Sequence, residues 1–388
     1  MGSGTCILEA IALRREGIGF DIDPLAVMLS KVKVNSIDPD RVRSVGLNIA
    51  DHATLNAHLP SLGQELAERF DAKTKAFVDY WFSQQTQLEL LALIREIEKI
   101  KEPDIKEFLL LVFSAIIITK SGGVSLAWDL AHTRPHKTKQ GVGKSYKPAA
   151  KEFIKRLLKN LEGLREMPAS RAKAFVHFGN AEALPLKSDS VDLLFTSPPY
   201  ASNAIDYMRA HKFSLVWFSR RIDELSDLRS TYIGGEKVSD YEFLEMPAET
   251  RKIIGKVAKA SAKKGLVLHR YYSEMRKVFA EALRVLKPGR AAFFVVGSST
   301  MHGIDSRTQD CLGEIGSSLG FELIGIGTRR LDRDRRMMPA RLHNHNRSLI
   351  EERMHEEHVI AMLKPEKGVR GNGRRLRDIS DLPFDLAI

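Results

Sequence analysis

The sequence predicts an α/β chain with a doubly wound, mostly parallel sheet and a large helical insertion, and three observations carry that reading. A glycine turn, Gly2-Ser3-Gly4-Thr5, is followed by a short amphipathic helix and a strand ending in acids, "GIGFDID". From about Asp40 to Ala174, apolar residues recur at three-to-four spacing, the period of helices. Beyond Ala174, short apolar runs alternate with amphipathic stretches, as parallel strands and their crossover helices do.

Taken in order, "CILEAIALRRE" reads as the helix after the turn and "GIGFDID" as the strand it leads to, together the back half of a βαβ nucleotide-binding unit. The cofactor-binding part spans residues 1–39 and the helical insertion residues 40–174, where "LELLALIREIEKI" and "IKEFLLLVFSAIII" are its clearest helices. The basic segment His132 to Lys151 has no period and reads as a loop. A second block, residues 175–364, resumes strand character with "AFVHFGNA" and "VDLLFTS" around a turn at "LPLKSDS". A helix over "AIDYMRAHKFSLVWFSRR" follows, then a polar irregular insertion over residues 219–264 and a helix "YYSEMRKVFAEALRVL" that stops at "KPGR". "AAFFVVG" reads as a buried strand, a helix covers Gln309 to Leu319, and "FELIGIGTRRL" and "EEHVIAMLK" close the pattern as a strand pair. Residues 365–388 read as a loose polar tail.

The 388 residues, 43% of them hydrophobic, suffice for one large or two ordinary domains and exclude a disordered chain. A net charge of +11 favours a polyanionic partner. The two cysteines, Cys6 and Cys311, form no CxxC pair, which disfavours a disulfide scaffold or thiolate zinc site and fits a reducing cytoplasm. The longest apolar run, Phe108 to Ile118, is about half the length a membrane span needs. No secretory signal begins the sequence, and neither membrane nor metal is expected; His343 and His345 lack a third ligand.

Ligands of a doubly wound sheet bind outside the carboxyl ends of its strands, and two motifs fall at such ends. Gly2 and Gly4 allow backbone close to a ligand, and Asp21, about twenty residues on, is placed to accept the ribose hydroxyls of an adenosine-bearing cofactor. Asp23 is the neighbouring candidate, or instead the cap of a helix starting at Pro24. Asn180 either accepts from an adenine amino group or is a turn residue beside Gly179. At the other end, Ser197-Pro198-Pro199-Tyr200 stops a strand with residues that cannot continue a ladder, leaving carbonyls to accept from a ligand. If Ser197 Oγ and the Pro198 carbonyl accept both hydrogens of an exocyclic amine, the nitrogen lone pair turns toward an electrophile. Tyr200 then offers a face for an extruded base, unless it is core.

The ordered motifs "GSGT", "GFDIDP", "GNAEALPLKSDSVDLLFTSPPY" and "LRVLKPGRAAFFVVG" resemble those of the S-adenosylmethionine-dependent DNA amino-methyltransferases that modify cytosine N4 or adenine N6, over most of the chain from Gly2 to Leu363. The resemblance implies a Rossmann-like methyltransferase fold with S-adenosylmethionine as cofactor and DNA as partner. It implies that Gly2, Ser3, Gly4 and Thr5 line the methionine and ribose side, that Asp21 takes the ribose and Asn180 the adenine, and that Ser197, Pro198, Pro199 and Tyr200 hold the target amine. Relatives often carry Asp where this chain has Asn180. Serine at the head of the tetrapeptide leans toward cytosine N4; adenine N6, an RNA amine, and an inactive DNA-binding fragment are the alternatives. Arg209 and Lys212 after the loop, and Arg329, Arg330, Arg333, Arg335 and Arg336 in the basic connection Thr328 to Ser348, are candidate phosphate contacts, the bland reading being a solvated loop. Tyr207, Phe213 and Trp217 read as core. The family carries a strand with an Asp-Pro-Phe-like lead before its glycine turn, so the resemblance also implies an N-terminal segment or companion subunit supplying that strand, with the tail "LPFDLAI" as the lesser candidate.

Overall fold

The computed structural model describes residues 1–119, 122–127, 145–167, 172–201, 206–297, 299–330 and 356–366. It is a mixed α/β protein whose chain divides into two compact units, Met1–Asn180 with Ile205–Tyr232, and Ala181–Ala204 with Ile233–Ile388.

The first unit opens with α1 (Thr5–Ala12), β1 (Gly17–Asp21) and α2 (Pro24–Val34). Helices α3 (Pro39–Asn56), α4 (Pro60–Arg69), α5 (Ala72–Trp81), α6 (Gln84–Glu98), α7 (Pro103–Ile117) and α8 (Ala149–Arg165) follow, then β2 (Ala174–Phe178), α9 (Tyr207–Leu215), a single 3₁₀ turn (Val216–Phe218) and α10 (Ile222–Ser230). Local chemistry sets the helix starts. Proline occupies the first turn of α2, α3, α4 and α7, where its missing N–H costs nothing. Asp38, Asp71 and Ser83 accept from first-turn amides of α3, α5 and α6. Strand β1 pairs in parallel with β2, Gly17 opposite Ala174 and Asp21 opposite Phe178. Glycine at 17 lets Ile7 of α1 press on the strand: a Cβ there would sit 2.8 Å from Ile7 Cγ2.

The core of this unit is helical and aromatic. Phe213 and Trp217, both fully buried, meet the rings of Phe70, Phe77, Trp81, Phe82 and Phe113, mostly edge to face. These contacts dock α9 and the 3₁₀ turn on α5 and α7. The compact unit therefore cuts across the blocks read from sequence at residues 40 and 174.

The second unit holds β3 (Val191–Thr196), α11 (Ala248–Ala260), α12 (Ala262–Val285), β4 (Leu286–Gly297), the two-residue strands β5 (Thr300–Met301) and β6 (Ile304–Asp305), α13 (Thr308–Leu319), β7 (Glu322–Arg330) and β8 (Glu356–Leu363). Its four-stranded sheet runs β3-β4-β8-β7. β3, β4 and β7 run in one direction there, and β8 enters between β4 and β7 antiparallel to both. The described strands thus run mostly parallel, as the sequence predicts, with β8 and the short β5–β6 pair the exceptions, but they fall in three sheets where the sequence predicts one. Phe279 of α12 stacks on Phe294 of β4 at 4.0 Å between centroids and sits at the centre of the second core. The polar stretch 219–264, which reads as irregular, contains α10 and α11. Each buries only a few apolar residues, Leu225 in α10 and Ile253 and Val257 in α11, too few to stand out among charges. α12 ends at Val285 and "KPGR" follows its C-cap Leu286 directly, as the sequence predicts, while already forming the start of β4; Gly289 has φ +72° and donates its amide to the Lys364 carbonyl at 2.8 Å.

Phe213→Ala is expected to lower the stability of the first unit by about 3–5 kcal/mol, while Leu13→Ala at an exposed site changes it by less than about 0.5 kcal/mol. Urea unfolding followed by tryptophan fluorescence checks both.

Candidate active site

In the first unit the glycine turn, β1 and β2 meet at one end of the strands. Gly4 caps α1 with φ +78°, and a Cβ there would lie 2.7 Å from Ser30 Oγ and 2.9 Å from Ser30 Cβ, so glycine is required twice over. Gly2, at φ +60°, has open space where a side chain would be. The turn is braced from α2: Ser30 Oγ donates to the Gly2 carbonyl at 3.1 Å and Lys33 Nζ to the Ser3 carbonyl at 2.8 Å. Ser3 Oγ and Thr5 Oγ1 lie 3.1 Å apart, and no side chain caps the α1 amides.

Asp21 is latched directly onto this turn. Its Oδ2 accepts from the Gly2 amide at 2.7 Å and its Oδ1 from the Asp23 amide at 3.0 Å. Oδ2 also lies 3.3 Å from the Met1 ammonium, so Oδ1 is the oxygen that retains a second lone pair for a ligand hydroxyl. Asn180 is half-buried two residues beyond β2, next to Gly179, whose amide donates to the Asp21 carbonyl at 3.0 Å. The structure thus brings Gly2, Ser3, Gly4, Thr5, Asp21 and Asn180 to one strand end. Lys33 joins them without having been legible; burial lowers the pKa of its ammonium.

Asp23 resolves as the helix cap. Its Oδ1 accepts from Leu25 and Ala26 amides at 2.9 and 3.1 Å. Its Oδ2 is hydrogen-bonded by His211 Nδ1 and by the Tyr232 hydroxyl, each at 2.8 Å. Burial pushes this carboxyl up, but the hydrogen bond and charge of His211, with the Tyr232 bond, outweigh it and hold the group below the usual carboxylate range. Burial first, and Asp23 second, raise the Tyr232 phenol.

On α9, Tyr207 is 43% exposed, unlike the buried Phe213 and Trp217 that the sequence groups with it. Its phenol is raised by burial and then by Asp21 and Asp23. Arg209 is exposed, whereas Lys212 is half-buried with its ammonium 5.2 Å from the Phe77 ring centroid, its pKa lowered by burial and then by Arg229.

In the second unit the ladder between β3 and β4 ends at Thr196 opposite Phe294, so Ser197-Pro198-Pro199-Tyr200 leaves the sheet just past its last pairing. Ser197 is exposed, Pro198 buried, and Pro199 and Tyr200 half-buried. The Tyr200 ring lies against Gly297, where a Cβ would come within 2.7 Å of Cε2, and its hydroxyl donates to Glu357 Oε1 at 3.0 Å. Arg329 donates to the other oxygen, Oε2, at 2.6 Å, and Arg330 lies 3.8 Å from Glu356. Arg333, Arg335, Arg336, His343 and His345 lie outside the described residues. The close glycine at the end of "AAFFVVG" is a signal that could have been read; Glu357, 157 positions from Tyr200, gives none. Among the described residues no helix is long and apolar enough to cross a membrane, and no group of three or more His, Cys, Asp or Glu side chains is placed to hold a metal ion.

Over 340 residues the chain is 25% identical to the type II methyltransferase M.MvaI of Kocuria varians, an alignment covering 81% of this chain and 72% of that protein. A solved structure from Thermus thermophilus, provisionally described as a DNA modification methylase, is 16% identical, with a TM-score of 0.24 over 53% of this chain and 58% of that one. No protein-family model matches the chain.

Asp23→Asn keeps the helix cap but removes the carboxylate. Because the folded pKa is depressed, the charge stabilises fully above the unfolded value of about 3.9 and the contribution is lost as pH falls through the folded value. Urea titrations from neutral to acid pH are expected to show wild-type stability falling more steeply than that of Asp23→Asn below about pH 4, with parallel curves above it.

Proposed function

We propose that this chain is a DNA amino-methyltransferase that moves the methyl group of S-adenosylmethionine to the exocyclic amine of an extruded base, with cytosine N4 the favoured target and adenine N6 the alternative. The observation that carries the reading is a Ser-Pro-Pro-Tyr loop at a parallel strand's end, its tyrosine ring held in place, on a chain homologous to a type II methyltransferase.

The glycine turn fits the cofactor. Gly2 opens to solvent with no atom where a Cβ would stand, Gly4 lets the turn close onto Ser30, and the uncapped amides of α1 beside Lys33 suit a carboxylate. Gly2, Ser3, Gly4 and Thr5 would hold the methionine and ribose side, Asp21 the ribose hydroxyls and Asn180 the adenine. Bound there, S-adenosylmethionine supplies an electrophilic sulfonium methyl. Ser197 Oγ and the Pro198 carbonyl would accept the two amine hydrogens, which turns the nitrogen lone pair out of the base's π-system, and the proton that the amine sheds on gaining the methyl group would leave to solvent past the exposed Ser197 hydroxyl. Pro199 stiffens the loop that holds those oxygens, and Tyr200 stacks on the base, a contact worth about 1–3 kcal/mol. Positioning provides most of the acceleration, and no covalent nucleophile is required. Cytosine C5 chemistry would need a thiolate; neither Cys6 nor Cys311 follows a proline, and burial raises both thiols.

Arg209, Lys212, Arg329, Arg330 and the three arginines further along the basic connection are the proposed phosphate contacts, in a reducing cytoplasm where DNA is at hand. The open edge of β3, with Leu193 and Phe195 about half exposed, suits a further strand from a companion subunit or a segment joined to this chain.

Ser197→Ala is expected to lower kcat by at least about a hundredfold with S-adenosylmethionine affinity unchanged, and Asp21→Ala to weaken that affinity about tenfold. Calorimetry and tritium transfer to DNA separate the two effects. Digestion of the product distinguishes N4-methylcytosine from N6-methyladenine, and a wild-type chain that binds DNA but no S-adenosylmethionine would sink the enzyme reading in favour of an inactive DNA-binding fragment. Arg330, exposed at the end of β7, is expected on change to Ala to weaken DNA binding evenly across sequences and reduce the salt slope by about one.

A further inference from the structure

A row of three residues crosses the sheet of the second unit. Gly297 of β4 stands opposite Glu357 of β8, which stands opposite Arg329 of β7. Tyr200 spans the near part of this row. Its ring rests on the bare backbone of Gly297, since a Cβ there would lie 2.7 Å from Cε2, 2.9 Å from Cδ2 and 3.2 Å from Cζ. Its hydroxyl reaches one Glu357 oxygen at 3.0 Å, and Arg329 grips the other at 2.6 Å. The Glu357 side chain is 17% exposed and that of Arg329 67%.

A tyrosine has two side-chain torsions, and this arrangement fixes both: the glycine sets the depth of the ring and the carboxylate sets its direction. A bond from a neutral hydroxyl to a charged acceptor is stronger than one between neutral groups, and the guanidinium keeps that acceptor aimed. A ring already held pays no ordering cost when a base stacks on it. The register explains why all three residues are available together, because each lies at a strand end on the side where β3 gives way to the Ser-Pro-Pro-Tyr loop.

We infer that Glu357 is a positioning residue for the target base, presetting the stacking face of Tyr200, and that Gly297 and Arg329 complete the clamp. The inference rests on the base-stacking role of Tyr200 stated under Proposed function. Arg329 then acts on the site through Glu357, in addition to any contact its outward N–H groups make.

The test is a double-mutant cycle in the full chain with S-adenosylmethionine and duplex DNA. Glu357→Ala and Tyr200→Phe are each expected to lower kcat/KM for DNA about tenfold, the loss of one hydrogen bond to a charged acceptor. The double variant falls no further than the worse single one, and cofactor affinity and melting temperature stay at wild-type values. Glu357→Gln, which keeps an oxygen at the Tyr200 hydroxyl, restores most of the rate. Wild-type kcat/KM in Glu357→Ala, or losses that multiply to about a hundredfold in the double variant, overturns the clamp. A readout independent of turnover is the Tyr200 Cζ resonance in tyrosine-labelled protein, assigned with Tyr200→Phe. It shifts in Glu357→Ala and Arg329→Ala and stays in place in the surface control Arg276→Ala; an unmoved resonance in Glu357→Ala overturns the clamp even if the chain transfers no methyl group. A wild-type chain that neither binds S-adenosylmethionine nor methylates DNA, yet shows the shift, overturns the enzyme reading and supports the clamp.

Discussion

One buried carboxylate organises the first unit. Asp23 ends the loop after β1, caps α2 with one oxygen and with the other joins His211 of α9 and Tyr232 beyond α10, partners 188 and 209 positions away in sequence. A carboxylate 5% exposed is stable only when its lone pairs are filled, and here every bond it accepts also fixes a chain segment. The cap orients α2; α2, through Ser30 and Lys33, braces the glycine turn; and the Asp23 amide returns to Asp21. The turn and its acid owe their geometry to a residue two positions beyond Asp21.

The second unit reaches comparable rigidity without a buried carboxylate at its loop. Tyr200 is immobilised by backbone proximity and by a partly exposed ion pair that spans two strands. Elsewhere in that unit a buried pair does appear: Arg270 and Glu274 lie one helical turn apart on α12, 2.7 Å from each other, and Glu274 also accepts the Gly234 amide at 2.8 Å. Burial raises the Glu274 carboxyl despite those bonds. Its role is to pin the chain after Ile233 to the long helix, which leaves the loop residues free to be shaped by the sheet ends.

What the sequence makes legible is whatever local chemistry imposes. A glycine at positive φ, an acid at the end of the next strand, a proline pair at a strand's end and a proline in a helix's first turn each carry a rule that acts within a few residues, and Gly4, Asp21, Ser197 and Pro24 stand where such rules put them. Partners brought together by the fold carry no such mark. Glu357 reads as one of two adjacent acids in "EEHVIAM", and nothing near His211 betrays Asp23. The sense of the sheet is hidden for the same reason: "EEHVIAML" has the alternation of a strand, but alternation does not say between which neighbours it inserts or in which direction. The helices of the polar stretch were obscured by composition, since two or three buried side chains are enough to hold α11 against α12.

The unfilled side of β3 has a bearing on how the molecule behaves in company. Backbone amides and carbonyls facing outward beside Leu193 and Phe195 form a template that any extended peptide of compatible pattern satisfies. Among the described residues no strand pairs with that rim, and an extended segment laid along it would add a fifth strand to the sheet.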